Sequence, residues 1–143
     1  MLTRIYVGGL LIEKGRILLK MVGEGSKRRY IMPGKYLEGD ETLEMAVSKG
    51  FERDVGCRCA VRDLVYIIES FKEEEERELG VFFLVSAPSS RRLEGVGAGL
   101  LFVGVDDMIR MEIRPQVLGG KIFADEKRGS RGSATYLVDQ WNE

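Results

Sequence analysis

Between Pro33 and Cys57 the chain places Lys35, Glu38, Asp40, Glu41, Glu44, Lys49, Glu52, Arg53 and Asp54 within one short stretch. Two chemistries are open to such a set. Carboxylates spaced i, i+3 and i+4 on a helix share a face and can converge on a hard divalent cation. Such a cation can act as a Lewis acid and activate water. Lysines and arginines can instead meet a phosphate directly, through charge-assisted hydrogen bonds. A zinc site is disfavoured, because the chain has no His and only two cysteines, Cys57 and Cys59. Their spacing of two residues is a poor one for a disulfide, so two free thiols in a reducing compartment are expected.

The same stretch predicts its own helix. Leu43, Ala46, Val47, Gly50 and Phe51 recur at i, i+3, i+4, i+7 and i+8, which is one apolar helical face. The pattern runs from about Glu41 to Val55 and turns Leu43, Val47 and Phe51 inward. Asp40 or Thr42 is placed to cap it, and Glu41 and Glu44 suit its first turn. Gly56 suits a left-handed stop. Gly50 inside the helix costs about 1 kcal/mol relative to Ala, which predicts that another backbone approaches closely there.

Around this helix the chain alternates apolar runs and turns. Ile5 to Ile12 and Arg16 to Val22, joined by Glu13-Lys14-Gly15, read as a β-hairpin. Gly23 to Arg29 is a polar, basic loop, and Pro33-Gly34 is a turn. Cys59 to Ser70 and Leu79 to Ala87 read as strands, the second apolar enough to be central. Leu100 to Val105 is a further strand, with Asp106-Asp107 placed to cap a helix after it. Arg114-Pro115-Gln116 opens a helix expected to end near Phe123. Lys127 to Ser133 reads as a flexible loop, and Tyr136 to Trp141 as a short terminal element. This order predicts a mixed α+β layer structure. With no internal repeat and no linker, it predicts one domain over residues 1–143.

The stretch from Pro33 to Cys57 resembles a Nudix box, whose pattern is GX5EX7REUXEEXGU with U a bulky apolar residue. Aligned without gaps, the pattern's glycine falls on Lys35, its first glutamate on Glu41 and its Arg-Glu pair on Lys49-Gly50. Phe51 takes the apolar position, Arg53-Asp54 the Glu-Glu pair and Gly56-Cys57 the closing pair. The resemblance implies an α/β/α sandwich with a curved mixed sheet between helices. It implies hydrolysis of nucleoside diphosphates linked to another moiety, assisted by magnesium or manganese on helix glutamates.

The departures bear on that activity. Of positions 50, 53 and 54, only Asp54 keeps a carboxylate, and Arg53 puts a permanent cation where the resemblance places metal. Asp54, Glu41 and Glu38 are the candidate metal ligands that remain; Glu38 also suits the helix start for dipole reasons alone. Lys35 and Arg53 are both positive, and with Lys49 they form the candidate substrate-binding set for a nucleotide or other phosphorylated small molecule. No catalytic residue is assigned. Two readings are open: a Nudix hydrolase with weak or lost metal-dependent activity, or a binding module recognising a phosphorylated ligand or a protein partner through Arg53 and Lys35. Arg53 could also simply pair with a neighbouring acid, and Asp54 with Arg53 or Lys49.

Other features carry less. The acidic run Glu73 to Glu76 reads as a solvated loop that could lend a carboxylate, and Gly95 to Gly99 as a glycine-rich loop without a phosphate-binding lysine. Tyr136 and Trp141 could wall a base, though packing of a terminal element is the simpler account. Of the 143 residues 44% are hydrophobic and 31% charged, with a formal net charge of -1, the balance of a globular domain. That charge disfavours nucleic acid despite Arg28, Arg29, Arg91, Arg92 and the basic loop from Lys127 to Arg131. No run reaches a membrane span and no signal sequence is recognisable, so a cytoplasmic location is expected. A homodimer is compatible with these properties but not required by them.

Overall fold

The computed structural model describes residues 2–71, 76–87, 99–129 and 134–140. Its elements run β1 (Leu2–Leu10), β2 (Ile12–Glu13), β3 (Arg16–Val22), β4 (Arg29–Ile31), β5 (Gly34–Tyr36), α1 (Leu43–Val55), β6 (Ala60–Phe71) and β7 (Glu76–Ser86). They continue with β8 (Leu100–Gly104), a 3₁₀ segment (Val105–Arg110), α2 (Gln116–Arg128) and β9 (Thr135–Gln140). One sheet has the order β5-β1-β7-β6-β9. It is mixed: β1 is parallel to β7 and β9 to β6, while the other two pairings are antiparallel. A smaller antiparallel sheet gathers β2, β4 and β8 on β3.

Strand alternation divides the core in two. From β7, the central strand of the large sheet, Phe82 joins Tyr66, Ile68 and the α2 residues Leu118 and Ile122. Its neighbours Val81, Phe83 and Val85 point the other way, onto Ala46, Val47, Phe51 and Val55 of α1. A mixed sheet therefore lies between helices, the expected α/β/α layering.

The first run of the chain does not form the expected hairpin with Arg16 to Val22. It divides after Leu10. β1 pairs along its length with β7, from Leu2↔Glu76 to Leu10↔Leu84, and only Ile12–Glu13 folds back on β3. The distant partner wins because pairing there places β1 inside the large sheet, where Leu10 joins the core under α2 and Val7 the core under α1, and the two glycines make room for the packing. A Cβ at Gly8 would stand 2.9 Å from the Phe82 ring, and one at Gly9 3.2 Å from Phe51. The turn itself is as expected, with Lys14 and Gly15 both at positive φ.

α1 begins at Leu43, with the Thr42 hydroxyl accepting from the Met45 amide at 3.1 Å, and ends on Gly56 at φ 86°. Asp106 and Asp107 do not cap. The 3₁₀ segment starts after Gly104 without a side-chain cap, and Asp106 instead meets Lys127 at 2.6 Å. α2 continues beyond Phe123 to Arg128, so Lys127 and Arg128 are helical, where cations suit the C-terminal dipole. Its first amides are held from β9: the nearly buried Asp139 carboxylate accepts from Gln116 and Val117 at 3.3 and 3.1 Å. Residues 73–75, 91–98, 130–133 and 141 lie outside the described residues, and with them most of the acidic run, the glycine-rich loop, the basic loop beyond Gly129 and Trp141. Among the described residues no helix is long and apolar enough to cross a membrane.

Candidate functional site

β5 is wedged between β1 and α1, and two glycines allow it. A Cβ at Gly34 would lie 2.0 Å from the Val7 carbonyl oxygen. A Cβ at Gly50 would lie 2.5 Å from the Gly34 carbonyl carbon and 2.8 Å from the Lys35 nitrogen. The close approach predicted at Gly50 is therefore present, and position 50 has no room for a side chain in this arrangement. Lys35 sits within β5, opposite Val7, and not at positive φ.

Two ion-pair clusters staple β5 and the following loop to α1. In the first, Asp54 is 6% exposed and accepts from Lys20 Nζ at 2.9 Å, the Gly34 amide at 3.1 Å and Arg53 Nε at 3.3 Å. Arg53 also donates from Nη2 to the Gly34 carbonyl at 2.9 Å, and its side chain stays 60% exposed. In the second, Lys35 Nζ donates to both Glu41 oxygens at 2.6 and 2.8 Å, and Lys49 Nζ approaches at 3.2 Å. The Glu38 amide adds a fourth contact, at 3.0 Å. The Lys35 hydrogen bonds, followed by the Glu38 amide, pull the Glu41 carboxyl down to about 2. Lys35 is only 12% exposed, so it is spent internally, while Arg53 and Lys49 face outward.

These residues do not fit magnesium or manganese. Among the described residues no group of three or more Asp, Glu, Cys or His side chains is placed to hold a metal ion. The expected trio is divided: Asp54 belongs to one cluster, while Glu41 and the exposed Glu38 share Lys35 in the other, its Nζ standing 2.6 and 3.9 Å from their carboxylates. Gly34's carbonyl, a hard oxygen beside Asp54, is taken by the Arg53 guanidinium. The protein's own cations stand at the carboxylate where a divalent ion would be needed.

Beside the first cluster opens a cleft of about 100 Å³ with walls from Tyr6, Ile31, Tyr36 and Phe82 and polar groups from Glu78 and Arg114. Tyr6 and Tyr36 meet edge to face at 5.2 Å, and Arg4 lies 3.7 Å over the Tyr36 ring. Tyr36 donates to Glu78 at 2.8 Å; burial first and this bond second push its hydroxyl up to about 12. Tyr6 donates to the Met32 carbonyl at 2.6 Å. Its hydroxyl is also pushed up, by burial and then by Asp54, with Arg53 opposing. Cleft and cluster share two elements: Ile31 is the register partner of Lys20, and Tyr36 lies on β5 with Gly34.

Comparison with solved structures identifies this architecture. A Nudix hydrolase from Nitrosomonas europaea matches with a TM-score of 0.74 at 14% identity, over 96% of this chain and 79% of that one. The chain has the Nudix fold. A MutT protein from Methanosarcina mazei Go1 matches at a TM-score of 0.69 and 20% identity, covering 88% and 96% of the two chains. An ADP-ribose pyrophosphatase from Streptococcus suis 89-1591 matches at 0.67 and 14% identity, covering 95% and 98%. No family model matches the sequence, and no curated protein matches it. Within this Nudix fold, β5 and α1 carry the segment whose spacing resembles the box. Lys20 and Tyr6 are additions that sequence reading missed. For Lys20 a signal existed, a lone charge inside the apolar run of β3. Tyr136 is not near the site: it lies on β9, across the whole sheet from β5, and bonds to Glu69.

Proposed function

We infer that this Nudix-fold chain, as one domain over residues 1–143, binds a phosphorylated small molecule without a catalytic metal, and that metal-dependent hydrolysis is weak or lost. One observation carries the reading: Arg53 links the Gly34 carbonyl to Asp54 while its side chain stays 60% exposed. A guanidinium so held is pre-organised, and it can give its remaining N–H groups to phosphate oxygens. The adjoining cleft, with two tyrosines and a phenylalanine, suits a flat ring, so a nucleotide is the ligand class favoured. The naming of one structural neighbour for ADP-ribose agrees with that choice. A cytoplasmic setting, where nucleotides abound, fits the reading. A protein partner is a weaker alternative, since nothing at Arg53 beyond its charge favours one.

The test pairs turnover with binding. With ADP-ribose or nucleoside diphosphate derivatives and magnesium or manganese, hydrolysis should be negligible. Turnover of about 1 per second or faster would overturn the reading and require carboxylates such as Glu38 or the run from Glu73 to Glu76 to enter the site. In EDTA the same ligands should still bind. Arg53→Ala should weaken that binding by about 1.5–3 kcal/mol, and Arg53→Glu should abolish it. If both variants bind like the parent, Arg53 is not the anchor.

A further inference from the structure

The Asp54 cluster holds a second cation that comes from a different element. Lys20 lies on β3, and its ammonium reaches Asp54 Oδ1 at 2.9 Å while the side chain remains 30% exposed. Arg53 Nε reaches the same oxygen, at 3.3 Å. Two cationic nitrogens therefore meet at one atom and can be no further apart than those two distances combined. Asp54 itself is almost fully covered, so an incoming anion encounters the cations and not the carboxylate. A phosphoryl group carries several acceptor oxygens on one centre, and two flanking donors are an arrangement it can bridge. Lys35 cannot share that role in this arrangement, because its ammonium is buried against both Glu41 oxygens.

We propose that Lys20 and Arg53 together form a metal-free phosphoryl seat, with Asp54 as the positioning residue that sets their spacing. This rests on the metal-free binding reading above and names the second anchor of the same site. The ligand group is a phosphate or diphosphate of a small molecule. A ligand that carries a flat ring can place it in the cleft, whose Ile31 is the register partner of Lys20.

Inorganic pyrophosphate, titrated calorimetrically into the full chain in EDTA, tests the seat. Lys20→Met alone would strip one partner from a covered carboxylate, so Lys20→Met is read in an Asp54→Asn background. Asp54→Asn, which frees both cations from their common anchor, should bind more weakly than the parent, and adding Lys20→Met to it should weaken binding by about a further tenfold or more, while Lys20→Arg in the parent should hold affinity within about threefold. A second readout needs no variant. Saturating pyrophosphate should slow acetylation of the Lys20 amine several-fold and leave the exposed Lys14 amine unaffected. Equal affinity of Asp54→Asn and the double variant, or an unprotected Lys20, overturns the Lys20 assignment and leaves metal-free binding standing. If the parent does not bind pyrophosphate in EDTA, the metal-free reading falls and the seat with it.

Discussion

At Glu41 the ion pairs become a titration that can be followed. Its carboxyl is drawn from the ordinary 4.5 to about 2, first by the Lys35 hydrogen bonds and then by the Glu38 amide. A depressed folded-state value means that ionised Glu41 favours the folded chain at all pH above 4.5, and that this contribution disappears as pH falls through about 2. The melting temperature of the parent should therefore exceed that of Glu41→Gln above pH 4.5, and the gap should close between pH 4.5 and 2. A gap that stays constant over this window would show that Glu41 holds β5 and α1 by packing and not by charge. The types at 35, 41 and 49 were legible as a cluster of opposite charges. Their pairing was not, because spacing along a chain does not say which ammonium a loop folds onto which carboxylate. Cys57 and Cys59 are free thiols, as their spacing implied, and burial pushes both up, Cys59 to about 11.

On the scale of the element, Gly50 sets two effects against each other. Alanine is the better helix former by about 1 kcal/mol, so propensity alone would make Gly50→Ala stabilising. The added Cβ would, however, stand 2.5 Å from the Gly34 carbonyl carbon. That carbon belongs to the backbone of β5, which is paired to β1 and cannot turn aside as a flexible side chain could. Overpacking of this kind costs about 1–3 kcal/mol, and a clash with fixed backbone belongs at the upper end, so net of the helix gain Gly50→Ala should lower stability by about 1–2 kcal/mol in urea unfolding. An Ala variant as stable as the parent would mean that β5 shifts freely. For the same reason Gly50→Glu should cost more than Gly50→Ala, since the larger side chain starts from the same obstructed Cβ. The close approach was legible as a cost without a local benefit, a glycine inside a helix. Its partner was not, since Gly34 lies far back in the chain and reads locally as half of a turn.

For the whole molecule, the absence of a fitting metal site among the described residues has a thermodynamic counterpart. A ligand that binds only the folded state raises the melting temperature as its concentration exceeds its dissociation constant. Millimolar magnesium or manganese should therefore leave the melting temperature where EDTA leaves it, while pyrophosphate in EDTA should raise it. A rise with magnesium alone would reveal a metal site that the Asp54 and Glu41 clusters do not explain. The long pairing of β1 with β7 and the tethering of α2 by Asp139 of β9 join distant parts of the chain, so this melting should report on the sheet and both helices together.

The sequence by itself determined what depends on near neighbours: α1 and its inward face, the left-handed Gly56, the central apolar strand β7, the α+β class and the residue types at positions 50 and 53, neither of them a carboxylate. These arise from periodicity, capping chemistry and residue type, which act within a few residues of one another. Only the tertiary structure decided that β1 leaves its neighbour β3 for β7, because burial on both faces outweighs a nearby hairpin partner. It alone brought Lys20 to Asp54, from 34 residues away, and Tyr6 to the cleft beside them. It also spent Lys35 on Glu41 and left Arg53 facing solvent, because a cation's availability depends on which carboxylate the packed backbone brings within reach.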